Sequence, residues 1–410
     1  MSNSVDELPA HDTKHEQQSS EQDPESNISV TSKPEDSAPT PATAAFDPHA
    51  FPESGTQAWL TVAGAAAFLF VSFGWINSIG IFQEYYQDSL LKDYTPSQIA
   101  WISSLMLLFM FIGGILVGKV FDESGAAYLL AFGSSLHVIG TILTSVSTRY
   151  IQILLCQGVV SALGCCMLLF PAVACVSTWF RAKRGAALGL VMGASSLGGV
   201  IFPAMVTQLI PQVRFGWTLR ICALLILLLT VFGNFTVKSR FPPSRKPVEF
   251  LAYVRPFREP TFLFLSLGIF FFWWGMFIPI NFIVSNAIQR GVRVRLARYL
   301  VPIMNATGII GRTVPNALAD KLGHYNVMIT FASLTSVLVL GVLMPTHDEG
   351  ALIAFAALFG ISSGAVIGLA PVLCAVVSPI QEIGSRTGAA YFLAGFAALT
   401  GTTQLEASSL

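Results

Sequence analysis

Arg312 falls inside an apolar stretch, after Gly311 and eight residues before Asp320. A guanidinium does not deprotonate there, and hydrocarbon is a costly place for it, so it must face protein or a wet cavity. No acid lies one turn away on its own segment, where positions 308, 309, 315 and 316 are Gly, Ile, Pro and Asn. An unpaired, permanently charged fork suits bidentate capture of a carboxylate. Asn77 and Asn305 are further candidates for the same cavity, with Tyr391 and Trp274 as walls. The competing reading is that Arg312 snorkels toward the helix end and pairs with Asp320.

His137, in GSSLHVIG, is the titratable group near the middle of another apolar run. Imidazole titrates near neutral pH, which makes His137 a candidate proton carrier; a neutral ring tied to a serine or a carbonyl is the plainer alternative. Carboxylates do not extend that relay. After residue 56 the acids are Glu84, Asp88, Asp93, Asp122, Glu123, Glu249, Glu259, Asp320, Asp348, Glu349, Glu382 and Glu406, all at run ends or in polar segments. No GxxxxGK[ST], HExxH, Rossmann fingerprint or Ser/His/Asp set occurs, so an enzyme or ATP-driven machine is not expected, nor is a cofactor. The six cysteines sit in apolar runs without metal-ligand spacing.

The elements that must position these residues are membrane spans. Hydrophobic residues make up 53% of the 410-residue chain and charged ones 11%, against roughly 25% charge in soluble domains. Runs of about 20 apolar residues cross a bilayer, and they occur near 58–82, 97–118, 126–147, 150–175, 185–209, 217–237, 262–285, 297–318, 325–344, 351–377 and 386–402. The net charge of zero hides an asymmetry: residues 1–56 hold eleven Asp/Glu and two Lys, a balance of −9. That tail, poor in large apolar residues, reads as disordered. With the tail inside, Lys119, Arg181, Lys183, Arg184, the 238–261 linker and Lys321 fall on cytoplasmic loops, as the positive-inside rule requires. The cluster Arg290, Arg293, Arg295 and Arg298 falls on the opposite face and breaks that pattern.

The chain also repeats itself. FIGGILVGKVFDESG, from Phe111 to Gly125, is echoed 198 residues later by IIGRTVPNALADKLG, so that Asp122 meets Asp320 and Gly125 meets Gly323. Each copy ends an apolar run with an acid and a glycine-closed turn, the grammar of a duplicated helical half. The expected fold is an all-α membrane bundle of two six-helix pseudo-repeats with about eleven spans present. Residues 57–237 form one half and 262–402 the other, incomplete half, followed by a polar 403–410 tail. The same spacing puts the end of a twelfth span near residue 435, past Leu410, which reads as a truncation or as a protein of eleven spans.

Gly118-x3-Asp122-x2-Gly125 resembles the signature of the major facilitator superfamily. With ESGTQAWLTVAGAAAFLFVSFGWINSIGIFQEYY, WFRAKRGAALGLVMGASSLGG and GRTVPNALADKLG, the chain looks like the fungal branch of the monocarboxylate porters from about Gly55 to Gly401. The resemblance implies a secondary transporter of the plasma membrane working by alternating access. Its cargo would be a small organic anion or an exported secondary metabolite, gripped by Arg312. It implies that Asp122 pairs with the basic residues Arg181 and Arg184, and that Gly118, Gly125, Asp320 and Gly323 belong to the same gating motif. Animal relatives carry a lysine where Asn77 stands and an acid where Gly308 stands, which weakens proton coupling here. No nucleic-acid partner is implied, and a monomer fits the pattern. The alternative is a truncated, non-transporting membrane binding or sensor protein.

Overall fold

Away from water, a backbone must satisfy its own N–H and C=O groups, and a helix does so within one segment. The computed structural model describes residues 51, 53–240, 254–297, 299–345 and 348–406. In chain order its long helices are α1 Thr56–Leu90, α2 Pro96–Ser124, α3 Ala127–Val146, α4 Tyr150–Trp179 and the continuous stretch Arg184–Thr236. That stretch turns sharply at Arg214 (φ 66°, ψ 160°) and counts as two helices, α5 over 184–213 and α6 over 215–236. After the linker come α7 Pro260–Gln289, α8 Leu300–Leu322, α9 His324–Leu343, α10 Glu349–Val376 and α11 Ile383–Glu406. Eleven long helices therefore stand among the described residues, and the expected all-α class holds. Most of the acidic tail, linker residues 241–253 and the last four residues lie outside the described residues.

Two inter-half seams position the site: α5 lies along α8, and α2 along α11. Small residues allow the close approach. A Cβ on Gly118 would sit 2.0 Å from the carbonyl oxygen of Gly384, so α2 and α11 touch backbone to backbone there. Helix α1 is not continuous through the bilayer. Its N–H groups at Asn77 and Ser78 turn back to Gly74 and Trp75, three residues away, tightening the coil beside the seam.

The Arg290 cluster finds its reason here. Arg290 donates to the carbonyls of Leu343 and Met344 at 3.0 and 3.2 Å, closing the C-terminal end of α9. Arg293 pairs with Glu349 at the start of α10, at 3.1 Å. These arginines staple the α7–α8 loop to the α9–α10 turn, a local helix-end role that a count of charges per loop does not contain. The side chain of Arg295, and Arg298, lie outside the described residues.

Both halves keep apolar residues on their outer faces. In the first, Gly233 of α6 receives the Phe68 ring of α1 and Thr236 packs on Gly64, while Phe132 of α3 and Phe235 of α6 stay exposed. In the second, Phe264 and Phe271 of α7 and Val337 and Leu340 of α9 stay exposed.

Candidate functional site

At one end of the seams the two repeats exchange acids. Asp122, near the end of α2, accepts N–H bonds from Gly384 (3.1 Å) and Ser385 (2.8 Å) in the first turn of α11. Asp320, near the end of α8, accepts from Gly185 (2.7 Å) and Ala186 (2.9 Å) in the first turn of α5. Each acid of one half thus caps a helix of the other, where orphan N–H groups and the helix dipole favour negative charge. Gly125 and Gly323 follow at φ 80° and 92°, left-handed values that let the chain turn away directly after each acid.

The expected pairing of Asp122 with Arg181 and Arg184 is corrected. Arg184 is caged by three carbonyls, Phe180 at 3.0 Å, Ala375 at 3.1 Å and Ser177 at 3.2 Å, one on each of its three nitrogens. Arg181 is exposed, and its N–H belongs to Glu53. Glu53 accepts the backbone N–H groups of Arg181, Ala182 and Lys183 at 2.7, 2.6 and 3.2 Å. Beside it the Phe51 ring lies within 6.0 Å of the guanidinium carbons of Arg181, Arg184 and Arg240. Chain docking therefore begins before residue 56.

Sequence reasoning missed Arg386. This buried side chain holds Glu259 through both terminal nitrogens, at 2.7 and 2.8 Å, and Glu382 through Nε at 3.0 Å. The available signal was the Glu382–Arg386 spacing of four, a helix ion-pair register. The cross-link to Glu259, at the start of α7, has no local signal.

Arg312 lies on α8, eight residues or roughly 12 Å inward from Asp320. It is buried, with 6% exposure. Its Nη1 donates to Ser195 Oγ and to the Met192 carbonyl at 3.4 Å, and the Phe73 ring lies 5.5 Å from the guanidinium carbon. Nε has no hydrogen-bond partner among the described residues. The alternative pairing with Asp320 is not made: that acid is engaged by α5 and by His324 at 3.0 Å. One turn further along the same face, buried Asn316 leaves both amide atoms unpartnered among the described residues.

Asn77 and Asn305, from opposite halves, come together over Gly199. A Cβ built there would meet Asn77 Nδ2 at 2.8 Å and Asn305 Oδ1 at 3.2 Å. Asn77 also donates to the Phe73 carbonyl at 3.1 Å. Tyr391 is buried against Phe111, Phe170 and Trp273, its hydroxyl unpartnered among the described residues. The expected wall Trp274 is not there. It is 37% exposed beside Phe270 and Phe271, and its buried neighbour Trp273 packs on Phe73 and Tyr391. One residue turns a helix by about 100°, enough to swap inner for outer face.

His137 is fully buried, with Nε2 3.0 Å from the Val71 carbonyl and Nδ1 2.9 Å from Ser161 Oγ. A carbonyl accepts only, so Nε2 carries the hydrogen and Nδ1 receives the serine proton. Both nitrogens are satisfied in the neutral ring, a tie between α3, α1 and α4 rather than a carrier poised at the seam.

Two helical halves packed side by side, with reciprocal helix caps and a buried cation between them, define a multi-pass membrane protein. The chain belongs to the Major Facilitator Superfamily, whose family model matches residues 60–402. It is 48% identical to the MFS-type transporter opdF of Penicillium oxalicum, over 88% of this chain and 85% of that one. Over 85% of this chain and 75% of the other it is 43% identical to the Fujikurins efflux protein of Gibberella fujikuroi. The Aspyridones efflux protein apdF of Emericella nidulans is 33% identical, over 92% and 76%. Among solved structures, the transporter FucP in its outward conformation shares the fold at a TM-score of 0.66, over 85% of this chain and 91% of that one, at 13% identity.

Proposed function

We propose that the chain is an alternating-access exporter of a small organic anion, a secondary metabolite, across the plasma membrane, with its N-terminus cytoplasmic. The carrying observation is Arg312: a buried guanidinium, free of any carboxylate among the described residues, with an unused Nε at the seam between halves. Leaving a charge so placed is costly unless a ligand completes it, and a carboxylate or enolate is the matching group. The names of the fujikurin and aspyridone efflux relatives support export of secondary metabolites. The reciprocal caps at the Asp122 and Asp320 end support a gate that closes there. Closely packed Asn77 and Asn305 would then read the neutral hydrogen-bonding groups of the cargo.

The test is efflux from yeast expressing the chain, loaded with a panel of aromatic carboxylic acids and their methyl esters, with surface expression measured for each variant. Transport of acids but not esters, lost in Arg312→Gln and partly kept in Arg312→Lys, is the expected result. Undiminished acid transport by Arg312→Gln overturns the anion reading.

A further inference from the structure

We propose that Ser195 is a positioning residue that competes with the ligand for Arg312, so that cargo is coupled to separation of the halves. The inference rests on the anion reading above for its ligand, but not for its mechanical part. Arg312 belongs to α8 in the second half, yet its hydrogen-bond acceptors among the described residues lie in the first, Ser195 Oγ and the Met192 carbonyl on α5, as does the Phe73 ring on α1. The guanidinium is therefore a bolt across the seam rather than a side chain seated in its own helix. Ser195 is itself fully buried and passes its hydroxyl hydrogen to the Met192 carbonyl at 2.7 Å, so its oxygen is turned toward Nη1. With the bolt in place the end at Asp320 is closed, since Gly185 and Ala186 of α5 lie on that acid.

Rocking of one half on the other must break the bolt and would strand a desolvated charge. An anion that takes Nη1 together with Nη2, the end-on face of the fork, replaces Ser195 and removes that penalty. Ligand and Ser195 thus bid for the same donor, and a ligand shifts the equilibrium only by its preference for the released state. Ser195 weakens cargo binding and at the same time holds the empty protein shut.

Two readouts on the purified full chain in nanodiscs test this. The first needs no ligand: spin labels at Lys183→Cys and Leu322→Cys, in a Cys156→Ser background, report the opening at the Asp320 end; the other cysteines are buried. Ser195→Ala should lengthen and broaden the label distance, and Ser195→Thr should restore it. An unchanged distribution in Ser195→Ala overturns the bolt. The second is calorimetric titration with benzoate, against benzamide as its neutral isostere. Ser195→Ala should bind benzoate about five-fold more tightly, the scale of one competing hydrogen bond. Weaker binding makes Ser195 a ligand contact and overturns the competition. If benzoate binds neither protein while the label distance shifts as expected, the bolt stands and the anion reading falls.

Discussion

Arg386 grips Glu259 with both ends of its guanidinium, at 2.7 and 2.8 Å, tying the start of α11 to the start of α7. The arginine is 7% exposed and the acid 49%, so the pair sits at the lip of the bundle. Hydrogen bonding from Arg386 holds the Glu259 carboxyl below its ordinary value of 4.5. A depressed carboxyl contributes stability that is complete above its unfolded value and is lost as pH falls through the folded one. The gap in melting temperature between wild type and Glu259→Gln should therefore be present at pH 6 and shrink below about pH 4.5. A gap that stays constant from pH 6 to pH 3.5 removes the ionic contribution.

The reciprocal acids predict a kinetic phenotype. Asp122→Asn keeps the shape but removes the charge and one of the two acceptor oxygens facing Gly384 and Ser385. A carboxylate at a helix N-terminus contributes about 1 kcal/mol, and under the proposed alternating access it does so only while the halves are closed at this end. The maximal rate should change about five-fold and the half-saturation concentration by less than two-fold, the conversion of that energy into a conformational equilibrium. Asp320→Asn should do the same, because Asp320 holds Gly185 and Ala186 in the same manner. A variant that loses affinity at full maximal rate contradicts the gating role.

The spans, the duplication and the unusual place of Arg312 were legible because each is local: an apolar run about 20 residues long has few other fates, and Asp122 and Asp320 sit in matching text. Partners were not legible. Asp122 meets Ser385 across 263 positions of chain, and nothing near Asp122 distinguishes that N–H from the basic residues before α5. Trp273 and Trp274 are identical letters, and only the rotation of α7 decides which one faces Tyr391. Arg386 was hidden for a related reason: GSRTG reads as an ordinary helix start until Glu259 arrives from another segment.

The N-terminal segment should divide sharply in importance at about residue 50. Deleting residues 2–50 should leave transport within about two-fold, as their acidic balance and few large apolar residues lead one to expect. Glu53→Ala should instead lower the melting temperature, because three N–H groups of the α4–α5 turn lose their acceptor; loss of a cap of this type costs about 1 kcal/mol. Equal melting temperatures for Glu53→Ala and wild type, or abolished transport in the deletion, would reverse the division.

Gly199 provides the sharpest test of where cargo sits. The Cβ of Gly199→Ala would fall 2.8 Å from Asn77 Nδ2 and 2.9 Å from its Cγ, closer than side chains tolerate, and 3.2 Å from Asn305 Oδ1. Both obstacles are ends of side chains, so the fold can absorb the methyl by swinging Asn77 away from the Phe73 carbonyl that it now bonds. Expression and melting temperature should therefore stay close to wild type. Transport should fall at least about ten-fold, because the methyl occupies the point where the two halves present their amides. Asn77→Ala in the same protein removes the clash, and coupling between residues in contact makes the double variant depart from the sum of the singles. It should keep the melting temperature and recover transport only in part, since the space returns but one amide is gone. Wild-type transport by Gly199→Ala would show that the amide pair is a packing contact and that the cargo passes elsewhere.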